Sequence, residues 1–142
     1  MNTIERNKEN GEKCLKALAE LDSEKFFNFF EPDGIIETIG TIAASGRKPI
    51  AQVAKELAAM RVNFPNKMDL RIETTTGEGS RVICEVRGYN KTVRGEPYNN
   101  RYAFIMEFNS EGKIHEMREY QDTALVEKVL MESYHSLGTY DK

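Results

Sequence analysis

The sequence predicts an α+β fold, with helices in the first half of the chain and an antiparallel sheet in the second. Apolar residues first recur at helical spacing, and from Met68 onward they alternate with polar residues, as strands require. Glycine-containing segments at 77–79, 94–95 and 110–112 divide the second half into plausible hairpins. A chain of this length is most simply one domain, spanning residues 1–142.

Three helices are predicted before the main run of strands. One face of the first is apolar and is formed by Ile4, Cys14, Leu15, Leu18 and Leu21. Asp22 or Ser23 can cap a short second helix, and the segment 32–34 then makes a turn. A third helix is predicted over 47–61, and Pro49 is acceptable in its first turn.

Strand patterns account for most of the remaining chain. The segments are 34–40, 68–76, 80–93, 96–108 and 113–121. Asp122 follows the last of them and is well placed to cap a final helix. Because antiparallel sheets twist strongly, we expect this sheet to curl around the helices and enclose a pocket. Its other face would be solvated or used in a dimer.

Composition and charge argue against several classes of protein. The net charge of −3 does not suit a general nucleic-acid binder, and no apolar run approaches the roughly 20 residues that cross a bilayer. The polar N-terminal segment lacks the apolar centre of a signal peptide, so we expect a cytoplasmic protein. Cys14 and Cys84 are expected to be reduced thiols. With His115 and His135 as the only histidines, we expect no metal and no cofactor.

Two acidic residues lie beside apolar ones on the predicted strands. Alternation puts Glu85 on the face of Ile83, and Glu119 on the face of Met117. A carboxylate in an apolar pocket has a raised pKa and can exchange protons near neutral pH, as a general acid or base must. The alternative is that both acids form ion pairs on a solvated surface, with Arg81, Arg87 or Arg101.

Four segments carry a family resemblance. Together, "FFNFFEPDGIIETIG", "SRVICEVRGY", "GEPYNNRYAFIMEF" and "GKIHEMREYQDT" resemble the SnoaL-like proteins, relatives of ketosteroid isomerase within the nuclear-transport-factor-2-like superfamily. The resemblance covers about residues 10–131. It implies a cone in which a curved antiparallel sheet wraps over three N-terminal helices and encloses a deep apolar pocket. It also implies a homodimer formed through the convex face of the sheet.

This family includes limonene-epoxide-hydrolase-like enzymes, polyketide cyclases and steroid isomerases. In the epoxide hydrolase pattern, an Asp–Arg–Asp set would fall on Glu85, Ile83 and Glu119. A Tyr and an Asn of the same pattern would fall on Ile36 and Thr38. The two acids are kept and the other three groups are lost, which argues against epoxide hydrolysis. The resemblance further implies that Glu119, and by strand pairing Glu85, face the pocket.

The leading hypothesis is a protein that binds a small apolar ligand and transfers a proton on it, as an isomerase or cyclase does. Glu119 would be the principal acid or base, and Glu85 would be its partner. The wall of the pocket would include Ile36, Thr38, Ile83 and Met117. Two alternatives stay open. One is a non-catalytic ligand-binding or dimeric scaffold protein, and the other is an interaction protein whose convex sheet face contacts another chain.

Overall fold

The fold consists of one curved sheet of six strands with helices packed against it. The structure is a computed structural model that describes residues 2–139. The helices are α1 (Thr3–Ala19), α2 (Ser23–Phe27), α3 (Ile50–Asn63), α4 (Thr123–Val129) and α5 (Met131–Ser136). The strands are β1 (Phe30–Thr38), β2 (Gly46–Pro49), β3 (Leu70–Glu78), β4 (Arg81–Gly88), β5 (Arg101–Phe108) and β6 (Ile114–Gln121). Met1 and residues 140–142 of the predicted domain lie outside the described residues.

The strands follow the order β2-β1-β6-β5-β4-β3 across the sheet. From β3 to β6 the neighbours are antiparallel, as the predicted hairpins require, and β1 pairs with β2 in the same way. The strands β1 and β6 run parallel instead. Parallel neighbours need a long connection, which the whole segment between β1 and β6 provides. The predicted α+β class is confirmed, and the sheet is mixed rather than wholly antiparallel.

Two predicted elements differ from those observed. The segment 46–49 forms the edge strand β2, and α3 begins only at Ile50. Pro49 is the residue before the helix and has extended backbone angles, which a proline at the end of a short strand adopts readily. The predicted turn at 32–34 lies inside β1, where the register against β6 shifts.

Aspartate side chains cap two of the helices. Asp122 accepts hydrogen bonds from the backbone N–H groups of Ala124 and Leu125, at 3.1 and 3.3 Å, which confirms the predicted cap of α4. Asp22 accepts a 3.1 Å hydrogen bond from the N–H of Lys25 at the start of α2. Asp22 thus marks the junction between α1 and α2, and Asp122 marks the point where the chain passes from β6 to α4.

The core lies between the sheet and the helices. Its fully buried large side chains include Leu15, Leu21, Phe26, Ile36, Phe104 and Met106. Cys14 and Cys84 are buried there as free thiols, as the sequence predicts. Burial raises the pKa of the Cys14 thiol, which keeps it in its unreactive protonated form. Within residues 2–139, no helix has the length and apolar run that crossing a membrane requires.

A bulge in β6 sets which of its side chains face the core. Ile114 and Met117 are both buried although they lie three residues apart, because the β5–β6 register shifts between Glu107 and Phe108. His115 is therefore exposed, although uninterrupted alternation would put it on the same face as Met117. After this bulge, alternate residues of β6 point inward.

Candidate functional site

A cavity of about 60 Å³ lies between the inner face of the sheet and the helices. All five helices and the strands β1, β3, β5 and β6 contribute to its wall. Much of the lining is apolar and includes Phe26, Ile36, Val53, Leu57, Phe104 and Met117. One water needs about 10–15 Å³ of such space, so the cavity has room for a few water molecules. A larger ligand enters only if side chains of the wall move.

Glu119 lies in the wall of this cavity, beside Thr38. The parallel register of β1 and β6 pairs Thr38 with Glu119, and Ile36 with Met117. The Thr38 hydroxyl donates a 2.7 Å hydrogen bond to Oε1 of Glu119. Four of the six predicted site residues are thus brought together, and their use as a ligand site stays a prediction.

Glu85 and Ile83 lie on the outer face of the sheet, so the prediction that they line the pocket is wrong. The register across β4, β5 and β6 aligns Glu119 with Cys84, through Phe104. Because Cys84 is buried against the helices, its neighbours Ile83 and Glu85 point the other way. Glu85 is exposed and accepts a 3.0 Å hydrogen bond from a threonine of β3. This separation removes Glu85 as the partner of Glu119.

A buried lysine and a buried glutamate extend the site beyond the predicted residues. Lys48 on β2 donates hydrogen bonds to Oε1 of Glu56, at 2.5 Å, and to the Thr38 hydroxyl, at 3.0 Å. Its ammonium also donates to the backbone carbonyl of Ala44, at 2.7 Å. A continuous set of hydrogen bonds therefore runs from Glu56 to Glu119. We call these four residues the inner network: Glu56, Lys48, Thr38 and Glu119.

Glu56 is the member of the inner network whose proton affinity is most clearly altered. Burial raises the pKa of Glu56 to about 7, and the negative charge of Glu119 adds to the rise. The ammonium of Lys48 acts in the opposite direction but does not outweigh the burial. Glu56 therefore gains and loses its proton near neutral pH, which is a property of many functional carboxylates.

Three tyrosines line the cavity: Tyr98, Tyr102 and Tyr134. The Asn100 amide donates a 3.1 Å hydrogen bond to the Tyr98 hydroxyl, and Tyr98 also shares a hydrogen bond with Tyr102. Burial raises the pKa of Tyr98 to about 12. The phenol of Tyr98 therefore stays protonated at neutral pH and can act as a hydrogen-bond donor.

The polar groups at the cavity suit proton transfer to and from an organic ligand. Two carboxylates lie in the wall, Glu56 and Glu119, with the three phenols close by. A carboxylate can take a proton from a ligand, and phenols can donate hydrogen bonds to an oxygen on which charge develops. In the described part of the chain, no group of three or more His, Cys, Asp or Glu side chains is placed to hold a metal ion.

The sequence did not point to Lys48 as a site residue. For Glu56 it contained one indication that was not used. The predicted helix included Lys48, which lies instead on β2 with its side chain buried. Glu56 follows Val53 by three residues and precedes Leu57 by one, so it interrupts the apolar stripe of α3. A glutamate inside an apolar helical stripe was the available indication of a buried acid.

Comparison with known proteins relates this fold to one family. The family model of the SnoaL-like domain matches residues 12–117. That range contains three members of the inner network and ends two residues before Glu119. Among curated proteins, none matches the sequence.

Several solved structures are similar to this one at low sequence identity. PrhC from Penicillium brasilianum has a TM-score of 0.80 at 12% identity, over 99% of this chain and 95% of PrhC. Bal32a from a soil-derived mobile gene cassette has a TM-score of 0.77 at 17% identity, over 91% of this chain and 99% of Bal32a. TerC, co-crystallised with polyporic acid, has a TM-score of 0.70 at 19% identity, over 89% of this chain and 98% of TerC. At these identities the likeness shows the fold alone.

Proposed function

Since the chain belongs to the SnoaL-like domain family, we propose that it binds a small, mostly apolar molecule in the cavity and transfers a proton on it. The reaction is an isomerisation or an aldol-type ring closure, in which a base removes a proton from a carbon next to a carbonyl group. One observation carries the proposal, which is the position of the Glu119 carboxylate in the wall of a largely apolar cavity.

Glu119 is the base in this proposal. Its Oε1 accepts the hydrogen bond from Thr38, and no hydrogen bond to its Oε2 is found within residues 2–139. The second oxygen can therefore take the proton. Ile36 and Met117 flank the two residues on the same strands, and these apolar side chains limit the access of water to the carboxylate.

Tyr98 supplies the hydrogen bond to the ligand oxygen. When Glu119 takes the proton, the electron pair of the broken C–H bond forms a C=C bond, and the π pair of the carbonyl group moves to its oxygen, which gives an enolate. The Asn100 amide donates a hydrogen bond to the oxygen of Tyr98, and in this proposal the phenolic hydrogen of Tyr98 is donated to the enolate. In a ligand whose enolate is conjugated with a further C=C bond, return of the proton from Glu119 to the far carbon of that system completes the isomerisation without any further reactant.

The class of ligand is supported by the chemistry of the wall and by one similar structure. The apolar lining favours a molecule with little charge, and the phenols favour one with carbonyl or hydroxyl oxygens. TerC was co-crystallised with polyporic acid, which is in keeping with a small organic molecule. The alternative function is non-catalytic binding of such a molecule.

Deuterium exchange tests the proposal before the product is known. The protein is incubated in D2O with a panel of enolisable cyclic ketones and hydroxyquinones, and exchange at carbon is followed by NMR. Wild-type protein should catalyse exchange on at least one compound. Glu119→Gln should lower that rate roughly 100- to 10,000-fold, the range for loss of a general base. Glu85→Gln is the matched control, because it makes the same change on the exposed face and should leave the rate unchanged.

Two results of this experiment would contradict the proposal. A folded Glu119→Gln variant that exchanges at the wild-type rate would exclude Glu119 as the base. Binding of panel compounds by the wild type without any exchange, with affinity measured by calorimetry, would favour the non-catalytic alternative.

We also propose that the outer face of the sheet pairs two copies of the chain, as the family resemblance implies. A connected set of ion pairs crosses this face and has three residues of each charge: Glu37, Arg47, Arg81, Glu107, Glu116 and Arg118. We call it the outer ladder. A two-fold interface brings one face against itself and therefore suits a surface with both charges. Light scattering should give a mass of twice 16.2 kDa, and a monomer would contradict the proposal.

A further inference from the structure

The hydrogen bonds between Lys48, Thr38 and Glu119 all run in one direction, and Lys48 is the first donor. An ammonium group can only donate hydrogen bonds, so in the 3.0 Å contact between Lys48 and Thr38 the lysine is the donor. The Thr38 hydroxyl has one hydrogen, and with the lysine donating to its oxygen that hydrogen is directed to Oε1 of Glu119, 2.7 Å away. Glu119 is therefore held as an acceptor at Oε1.

We infer that Lys48 is a positioning residue for Glu119 and acts on it through the hydroxyl of Thr38. It keeps the hydroxyl hydrogen on Oε1, so that Oε2 is the oxygen that takes the proton of the ligand. The inference rests on the proposed function, because a positioned base has an effect only on a bound ligand.

The surroundings of Lys48 hold its ammonium in this place. The Glu56 carboxylate on α3 and the carbonyl of Ala44, just before β2, accept hydrogen bonds from it at 2.5 and 2.7 Å. The side chains of Lys48 and Glu56 are 8% and 10% exposed, so little water competes for these bonds. Lys48 thereby connects helix α3 to the strand that carries Thr38.

A purely structural role for Lys48 is the competing explanation. In that case its bond to Glu56 only ties β2 to α3, and the contact with Thr38 has no effect on chemistry. The two explanations differ in the effect of Lys48→Met on turnover. If Lys48 acts through the hydroxyl, variants of Lys48 and Thr38 impair the same step. If its role is structural, Lys48→Met leaves turnover unchanged in the folded protein, whatever the loss of the Thr38 hydroxyl does through its own bond to Glu119.

Kinetics of the exchange reaction separate the two explanations. Thr38→Val keeps the shape of the side chain and should lower kcat roughly 10- to 100-fold, the range for loss of a hydrogen bond to a charged group. KM should change by less than about twofold, because ligand binding is not affected. Thr38→Ser retains a hydroxyl and should recover most of the lost rate. A Thr38→Val variant at the full wild-type rate would overturn the inference.

A double variant makes the test sharper. Lys48→Met should lower kcat by a factor similar to that of Thr38→Val, and the two changes together should be no slower than Lys48→Met alone, because the residues act as one unit. Multiplicative losses would overturn the inference. If Lys48→Met does not fold, the direction of the Thr38 hydroxyl in the neutron map described below decides instead.

Neutron crystallography of the deuterated protein tests the direction without any ligand. The expected map shows three deuterons on Nζ of Lys48 and the hydroxyl deuteron of Thr38 on the line to Oε1 of Glu119. A hydroxyl deuteron directed at Nζ would overturn the inference whether or not turnover is found. If the map is as expected but the wild-type protein catalyses exchange on no compound, the proposed function is contradicted. The catalytic part of the inference then falls with it.

Discussion

The two faces of this sheet place their ion pairs in opposite surroundings. On the inner face, Lys48 and Glu56 form a pair whose side chains are 8% and 10% exposed. On the outer face, Arg118 is 20% exposed and lies 2.8 Å from Glu107 and 2.5 Å from Glu116. Both sets use the same kinds of group at similar distances. The main difference between them is how much water reaches the charges.

That difference reverses the net change in the pKa of the paired acids. Hydrogen bonds from arginines of the outer ladder, that of Arg118 foremost, lower the pKa of Glu107. Partial burial of Glu116 opposes such a change, but the hydrogen bonds from Arg47 and Arg118 prevail and its pKa is also lowered. On the inner face, burial prevails over the nearby ammonium, and the pKa of Glu56 rises to about 7. Burial, rather than pairing, thus makes a carboxylate of this fold able to exchange protons near neutral pH.

The largest expected effect comes from removing one cation on each face. Lys48→Met leaves Glu56 buried without its cation and should lower the free energy of unfolding by about 3–5 kcal/mol at pH 8. Arg118→Met leaves each of its carboxylates with another arginine of the outer ladder and should cost about 1 kcal/mol or less. Urea unfolding at pH 8, followed by circular dichroism, measures both variants. Equal losses would show that burial does not separate the two faces.

The next effect is a dependence of stability on pH that belongs to Glu56. Its pKa rises from 4.5 to about 7 on folding, so the folded state binds this proton more tightly than the unfolded state does. The contribution to stability is complete below about pH 4.5 and is lost as the pH rises to about 7. The difference in pKa corresponds to on the order of 3 kcal/mol.

Glu56→Gln tests this dependence because glutamine has no proton to lose. The free energy of unfolding of the variant, relative to that of the wild type, should increase by on the order of 3 kcal/mol between pH 4.5 and pH 8. Glu107→Gln on the outer face is the control, and it should show no such increase across this range. Parallel stability curves for Glu56→Gln and the wild type would mean that Glu56 is ionised throughout.

The sequence predicts the elements of this fold better than it predicts which strand face is buried. The change of apolar period at Met68 predicted the α+β class, and the family resemblance led to Glu119. Alternation sorts the residues of a strand into two faces but does not say which face is inward. On β4 the alternating sets contain Cys84 on one side and Ile83 with Glu85 on the other, and only the register with β5 and β6 decides between them.

The burial of Lys48 could not be predicted from the sequence, for a different reason. A lysine is rarely buried without a partner, and the partner of Lys48 is Glu56, which lies on the following helix. Neither residue predicts the other until β2 and α3 have been placed side by side. Thr38 was expected in the pocket wall and lies in the wall of the cavity, yet the role of its hydroxyl between two charged groups depends on the same tertiary contact.

The smallest effect concerns the exposed end of the outer ladder. Arg47 is 57% exposed and contacts Glu37 at 3.6 Å and Glu116 at 2.5 Å. Arg47→Gln should lower the free energy of unfolding by about 0.5 kcal/mol at low salt. At 1 M NaCl, where the screening length is about 3 Å, that loss should vanish, whereas the loss in Lys48→Met should persist because salt does not reach the buried pair. Urea unfolding at both salt concentrations measures this, and a loss in Lys48→Met that salt abolishes would mean that water reaches the inner network.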